Sequence, residues 1–155
     1  MSEFRIDDET TELHRLYNCN ETLAGGRGKV IMAERSSDPH RYSSWDTIRH
    51  LVKSGKLTYH STGVAGCANG INCEMDGVVN PAFCVECDGA IITGTHAQNW
   101  QQKHAILIQY LEKNPELSPN EFAHYISQIR AAELVMSDHN LPFVHFECDL
   151  ELSEL

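Results

Sequence analysis

The chain has 155 residues, with 12 Lys+Arg against 22 Asp+Glu, 41% apolar residues, nine His and six Cys. That length supports one domain with a real core and excludes a miniprotein dependent on disulfides. The formal charge of −10 excludes a surface that binds nucleic acid all round, because phosphate contacts are made by Lys and Arg. Apolar runs such as Ala105-Ile106-Leu107-Ile108 fall far short of the roughly 20 residues that span a bilayer, so no membrane partner is expected. Met1–Asp8 has neither a basic start nor an apolar stretch of the kind that opens a secretory signal. A cytoplasmic, reducing setting is expected, in which clustered cysteines are metal ligands more often than disulfides.

In chain order, residues 1–24 form an N-terminal helix from Asp7 to about Asn18. Leu13, Leu16 and Tyr17 stand at helical spacing, and Asp7, Asp8 and Glu9 suit the positive end of its dipole. Residues 25–61 are a Gly-rich turn and a basic helix. Gly25-Gly26-Arg27-Gly28 reads as a turn or hinge. Ser43 or Ser44 caps the helix that follows, with Asp46 as a capping-box partner. Trp45, Ile48, Leu51 and Val52 form its apolar stripe, and Gly55 ends it. A short strand is expected over 56–61. Residues 27–56 hold seven basic and three acidic groups, the one stretch able to supply a basic face. Its candidate contacts to DNA or a partner are Arg27, Lys29, Arg41, Arg49, Lys53 and Lys56.

Residues 62–94 change texture. Glycines at 63, 66, 70, 77, 89 and 94 with little apolar periodicity describe a loop-rich module that burial alone would not hold together. Over 95–137 two helices are expected as an antiparallel hairpin joined by Asn114–Leu117. The first is capped by Thr95 with Gln98 and carries Trp100, Ala105, Leu107, Ile108 and Leu111. The second opens at Ser118-Pro119-Asn120-Glu121 and carries Phe122, Ile126, Ile129 and Met136. Residues 138–155 are an extended acidic tail, in which Leu141–Glu147 is a strand or packing segment. The fold expected is mainly α, a single domain over 1–155, with a small zinc-knuckle module and a C-terminal helical hairpin.

The strongest chemical signal is Cys67-x5-Cys73-x10-Cys84-x2-Cys87. A Cys-x-x-Cys turn sets two thiolates at two corners of a tetrahedral Zn²⁺ site, and Cys67 with Cys73 would complete it. The Cys67–Cys73 gap is wider than the usual two to four residues, so His96 or His60 is a substitute ligand for either. Such a closed site is structural, because no position is left for water or substrate. His104 lies two turns after His96 on the same face, as a supporting or packing residue. The deaminase order His-x-Glu then Pro-Cys-x-x-Cys is not met: His145-Phe146-Glu147 follows the cysteines, and Pro81 stands three residues before Cys84.

Leu23-Ala24-Gly25-Gly26, Thr62-Gly63-Val64-Ala65-Gly66-Cys67, Cys73, Pro81-x-x-Cys84-x-x-Cys87 and the helix with Trp100 and His104 resemble the C-terminal Cys-rich region of large tyrosine-recombinase-like integrases of bacterial mobile elements. The resemblance covers about residues 20–137. The family's catalytic residues do not carry over: no His has an Arg three residues on, so Tyr17, Tyr42, Tyr59, Tyr110 and Tyr125 lack the partners that would make one a nucleophile. The resemblance implies a non-catalytic, zinc-stabilised accessory module that contacts DNA or another recombination protein, with no small-molecule substrate. The alternative expectation is a zinc-dependent hydrolytic enzyme with a mixed Cys/His site, His96 or His60 as one ligand and Glu86 or Glu74 as general base.

Overall fold

The structure, a computed structural model, describes residues 2–37, 42–68, 82–85 and 87–147. Arg41, Cys73, Glu74, Glu86 and the acidic end from Cys148 lie outside the described residues. The described chain is mainly helical with a small antiparallel sheet. None of its helices is long and apolar enough to cross a membrane.

Helix α1 (Glu3–Asn18) starts four residues earlier than the acidic cluster suggests, because Ser2 accepts from the Arg5 N–H and caps it. Ile6, Leu13, Leu16 and Tyr17 make its buried stripe. The Gly-rich stretch is not a hinge. It opens a helix, α2 (Gly26–Arg35), and only Gly25 breaks the chain, at φ +85°. A Cβ on Gly26 would lie 2.7 Å from the Asp88 carbonyl oxygen, so this glycine permits close backbone approach. Each glycine inside a helix costs about 1 kcal/mol against Ala; burial of Ile31, fully enclosed in α2, offsets that cost. Tertiary packing overrode local propensity here.

Helix α3 (Trp45–Lys53) is capped by Ser44, which accepts from the Thr47 N–H, and Gly55 follows it at φ +82°. The expected strand shrinks to β1 (His60–Ser61). It pairs with β2 (Gly66–Cys67), which pairs with β3 (Ala90–Ile91), in the order β1-β2-β3. The register aligns His60 with Cys67 and Cys67 with Ala90, and Ser61 with Gly66 and Gly66 with Ile91. Between β2 and β3 lies the four-residue helix α4 (Ala82–Val85).

Helix α5 (Gly94–Lys113) is capped by Thr93, not Thr95. Its capping-box partner is His96, not Gln98. Helix α6 (Pro119–Asp138) is capped by Ser118 with Pro119 in its first turn, as the sequence dictates. Ala97 and Trp100, early in α5, pack with Ala132, Val135 and Met136, late in α6. Leu107 and Leu111 pack with Ile126 and Ile129. The two helices therefore run against each other in opposite directions. They do not stand alone: α4 packs on α6, and residues 141–147, which form no strand, run along the pair with Leu141 and Phe146 against its apolar clusters.

Two neighbouring extended segments join the halves. Leu23 and Ile91 face the cluster built by α1, α2 and α3. Ala24 and Ile92 face the cluster of α5 and α6. Alternate side chains of an extended chain point to opposite faces, so each segment contributes to both cores. Reciprocal Ala24 and Ile92 backbone hydrogen bonds of 2.9 Å tie the two together.

Candidate functional site

The site is built on β2, β3 and the turn that follows α4. Cys67 ends β2, and the next residue, Ala68, donates its N–H to the Gly89 carbonyl at 2.9 Å. The Cys87 N–H donates to the Cys84 carbonyl at 3.3 Å, closing a tight turn. The Ala90 N–H donates to the Cys87 carbonyl at 3.1 Å, closing a second turn directly into β3. Since Cys67 is in register with Ala90, the backbone brings the end of β2 to the side of the Cys84–Cys87 turn. Cys67, Cys84 and Cys87 are all half-buried, and Cys84 also packs against the α5–α6 cluster. The fourth ligand predicted, Cys73, lies outside the described residues. Among the described residues no three His, Cys, Asp or Glu side chains converge as metal ligands.

The two substitute ligands fare differently. His60 is exposed and directly opposite Cys67 across β1 and β2. Cross-strand partners project to the same sheet face with Cβ atoms about 5 Å apart, which leaves His60 beside the cysteine. His96 is buried and both ring nitrogens are engaged. Its Nδ1 accepts from the Thr93 N–H at 3.1 Å, and its Nε2 lies 2.7 Å from Ser61 Oγ. A backbone N–H can only donate, so Nδ1 is unprotonated and Nε2–H donates to Ser61. Burial pulls the His96 pKa below its ordinary value, which favours this neutral form. His96 is thus a latch between β1 and the start of α5. The same tautomer prevents it from taking a proton from Ser61, so the pair is not a nucleophile and base.

The basic candidates also separate. Arg49 is held by Asp7 (Nε to Oδ1, 2.7 Å) and by Glu3, locking α3 to α1. Arg35, not singled out by the sequence, donates to the Leu16 and Glu21 carbonyls at 2.9 and 2.7 Å. Arg27, Lys29, Lys53 and Lys56 make no ion pair or side-chain hydrogen bond among the described residues.

Two carboxylates were not foreseen. Glu133 in α6 is 5% exposed and accepts from three donors: His104 Nε2 (2.9 Å), Arg130 (2.8 Å) and the Phe146 N–H (2.8 Å), with His145 Nδ1 also 2.8 Å away. Burial pushes its carboxyl pKa up, but hydrogen bonds from Phe146, His104 and Arg130 more than reverse this and leave it below the ordinary value. The only hint in the sequence was an acid four residues after Ile129 and three before Met136, on the apolar face. Glu21 accepts the Gly94 N–H at 2.9 Å and pairs with Arg15 at 3.1 Å. Burial raises its pKa too, and those two partners bring it below the ordinary value. It sits at the positive end of α5, where a carboxylate is favoured.

No family model, no curated protein and no solved structure matches this chain.

Proposed function

We propose that this chain is a non-catalytic, zinc-stabilised accessory module of an integrase or site-specific recombination system, contacting DNA or a protein partner. One observation supports the metal part of the reading: the β2–β3 register and the turns at Cys84–Cys87 and Cys87–Ala90 bring the backbone at Cys67 to the side of the Cys84–Cys87 turn. Thiolates at such a turn suit tetrahedral Zn²⁺. Cys67, Cys73, Cys84 and Cys87 would hold the ion, which would supply a closed cross-link within the Gly-rich module. Its binding would stabilise the fold by about 10 kcal/mol, the scale seen for structural zinc. The contact part rests on the cations of 27–56 left without partners, and the recombination context rests on the sequence resemblance alone.

A second reading has one observation in its favour. His60 stands opposite Cys67, so a mixed Cys/His site with one open position is a geometric alternative, which would suit a hydrolytic zinc enzyme.

Metal analysis with X-ray absorption on reduced, tag-free protein tests both. One zinc per chain with four sulfur ligands supports the structural site. Sulfur and nitrogen ligation with bound water favours the second reading, and folded protein without metal overturns both. Titration with duplex DNA at rising salt tests the contact, since each phosphate neutralised releases counterions and steepens the salt dependence.

A further inference from the structure

The cations of residues 27–56 differ in what surrounds them. Arg49 is neutralised by Asp7 and Glu3, and Lys29 and Lys53 stand exposed on α2 and α3. Arg27 and Lys56 alone among the predicted contacts share a described cleft, whose walls also include Tyr17, Thr58, Leu57 and Ile91. Neither has a charged partner among the described residues. The charge of Arg27 acts on the Tyr17 hydroxyl, as does that of Glu34 from the same helix. Two cations therefore line one cleft with a partly apolar floor. The free volume is about 20 Å³, room for one water-sized group, whereas small-molecule pockets run to about 300 Å³ or more. A nucleoside or a small organic substrate does not fit, but one oxygen of a larger anion does.

We infer that the Arg27–Lys56 cleft seats one oxygen of a backbone phosphodiester of duplex DNA. Arg27 and Lys56 flank the phosphate, and the bases stay outside. The contact positions the duplex without reading its sequence. This deepens the DNA-contact reading and rests on it.

The test is fluorescence anisotropy of the full chain with a labelled mixed-sequence duplex over a range of salt. The double variant Arg27→Ala/Lys56→Ala should lower the slope of log affinity against log salt by about 1, the share of the one phosphate the cleft holds. The charge-matched variant Lys103→Ala/Lys113→Ala, on α5 and outside residues 27–56, should leave it unchanged, and Arg27→Lys should retain the parent slope. Equal slopes for the parent and the cleft variant, or equal losses in both double variants, overturn the cleft while the DNA reading stands. A parent that binds no duplex overturns the DNA reading and the cleft with it. Thermal melting of the cleft variant should match the parent, since neither side chain has an ion pair or side-chain hydrogen bond to lose among the described residues.

Discussion

The α5–α6 pair and the Cys-rich stretch differ in what they bury. Trp100, Ile126, Ile129, Ala132, Val135 and Met136 are all at 1% exposure or less. Of the described residues in 62–91, only Ile91 is a large, fully enclosed side chain; Ala65, Val85 and Ala90 are small or near the surface limit of the core. At about 25 cal/mol per Å² of apolar surface, the helical pair gains far more from burial than the Cys-rich stretch does. That stretch is instead fastened at its edges. Ile91 and Ile92 plug into the two cores, Trp100 Nε1 donates to the Val64 carbonyl at 2.8 Å, and His96 holds Ser61. One region of a domain can therefore be ordered largely by contacts at its edges while the other is ordered largely by what it buries.

The largest expected effect is on the proposed metal. Cys87→Ala, or removal of zinc by a chelator, should melt the sheet and the Cys84–Cys87 turn and lower the melting temperature sharply. Amide exchange in α5 and α6 should stay protected. A variant with parental melting and no zinc in the parent would remove the cross-link from this comparison. Trp100→Ala attacks the opposite side and should cost about 3–5 kcal/mol in denaturant unfolding. It should also loosen Val64, because the indole is that carbonyl's donor.

Next comes Glu133. Its pKa is lowered in the folded state, so its stabilisation is complete above the ordinary carboxylate range and is lost as pH falls through the lowered value. The parent should therefore lose stability on acidification more steeply than Glu133→Gln. Parallel acid limbs for the two proteins would show that the carboxylate is not linked to folding. Gly25→Ala should cost about 1–3 kcal/mol, because φ is +85° and the added carbon would lie 2.5 Å from the Ala90 carbonyl oxygen. The smallest effect sharpens the comparison. Thr93→Ala and Ser118→Ala each remove a helix cap and should cost about 1 kcal/mol. Thr93 should cost the more, since it is buried and also orients His96, the latch to β1. Equal melts for the two caps would reduce that latch to an ordinary contact.

Much of the helical framework was legible. Ser44, Gly55 and Ser118-Pro119 announced α3 and α6 through local hydrogen bonding and backbone preference, and the buried stripes of α1 and α6 follow helical spacing. The misreadings share one cause. Gly26 and Gly28 look like breakers, yet α2 runs through them because the backbone of residues 88–90 packs closely against Gly25 and Gly26. Thr95 has a suitable capping sequence, but the Glu21 carboxylate takes the Gly94 N–H and moves the helix start back to Thr93. Among the predicted contacts, Arg49 carried the same charge as Arg27 in the sequence. Its approach to Asp7 and Glu3, 42 and 46 residues away, neutralised it.

The amino-acid order by itself determined what depends on neighbours in the chain: helical stretches, their caps, the basic segment and the clustering of cysteines. Tertiary structure decided what depends on groups brought together from far along it. These are the register that sets His60 beside Cys67, the seam at Leu23-Ala24 and Ile91-Ile92 that serves two cores, and the three donors around Glu133. The physical reason is range. Backbone propensity acts over a few residues, whereas burial and ion pairing depend on which distant segments the packed chain makes adjacent.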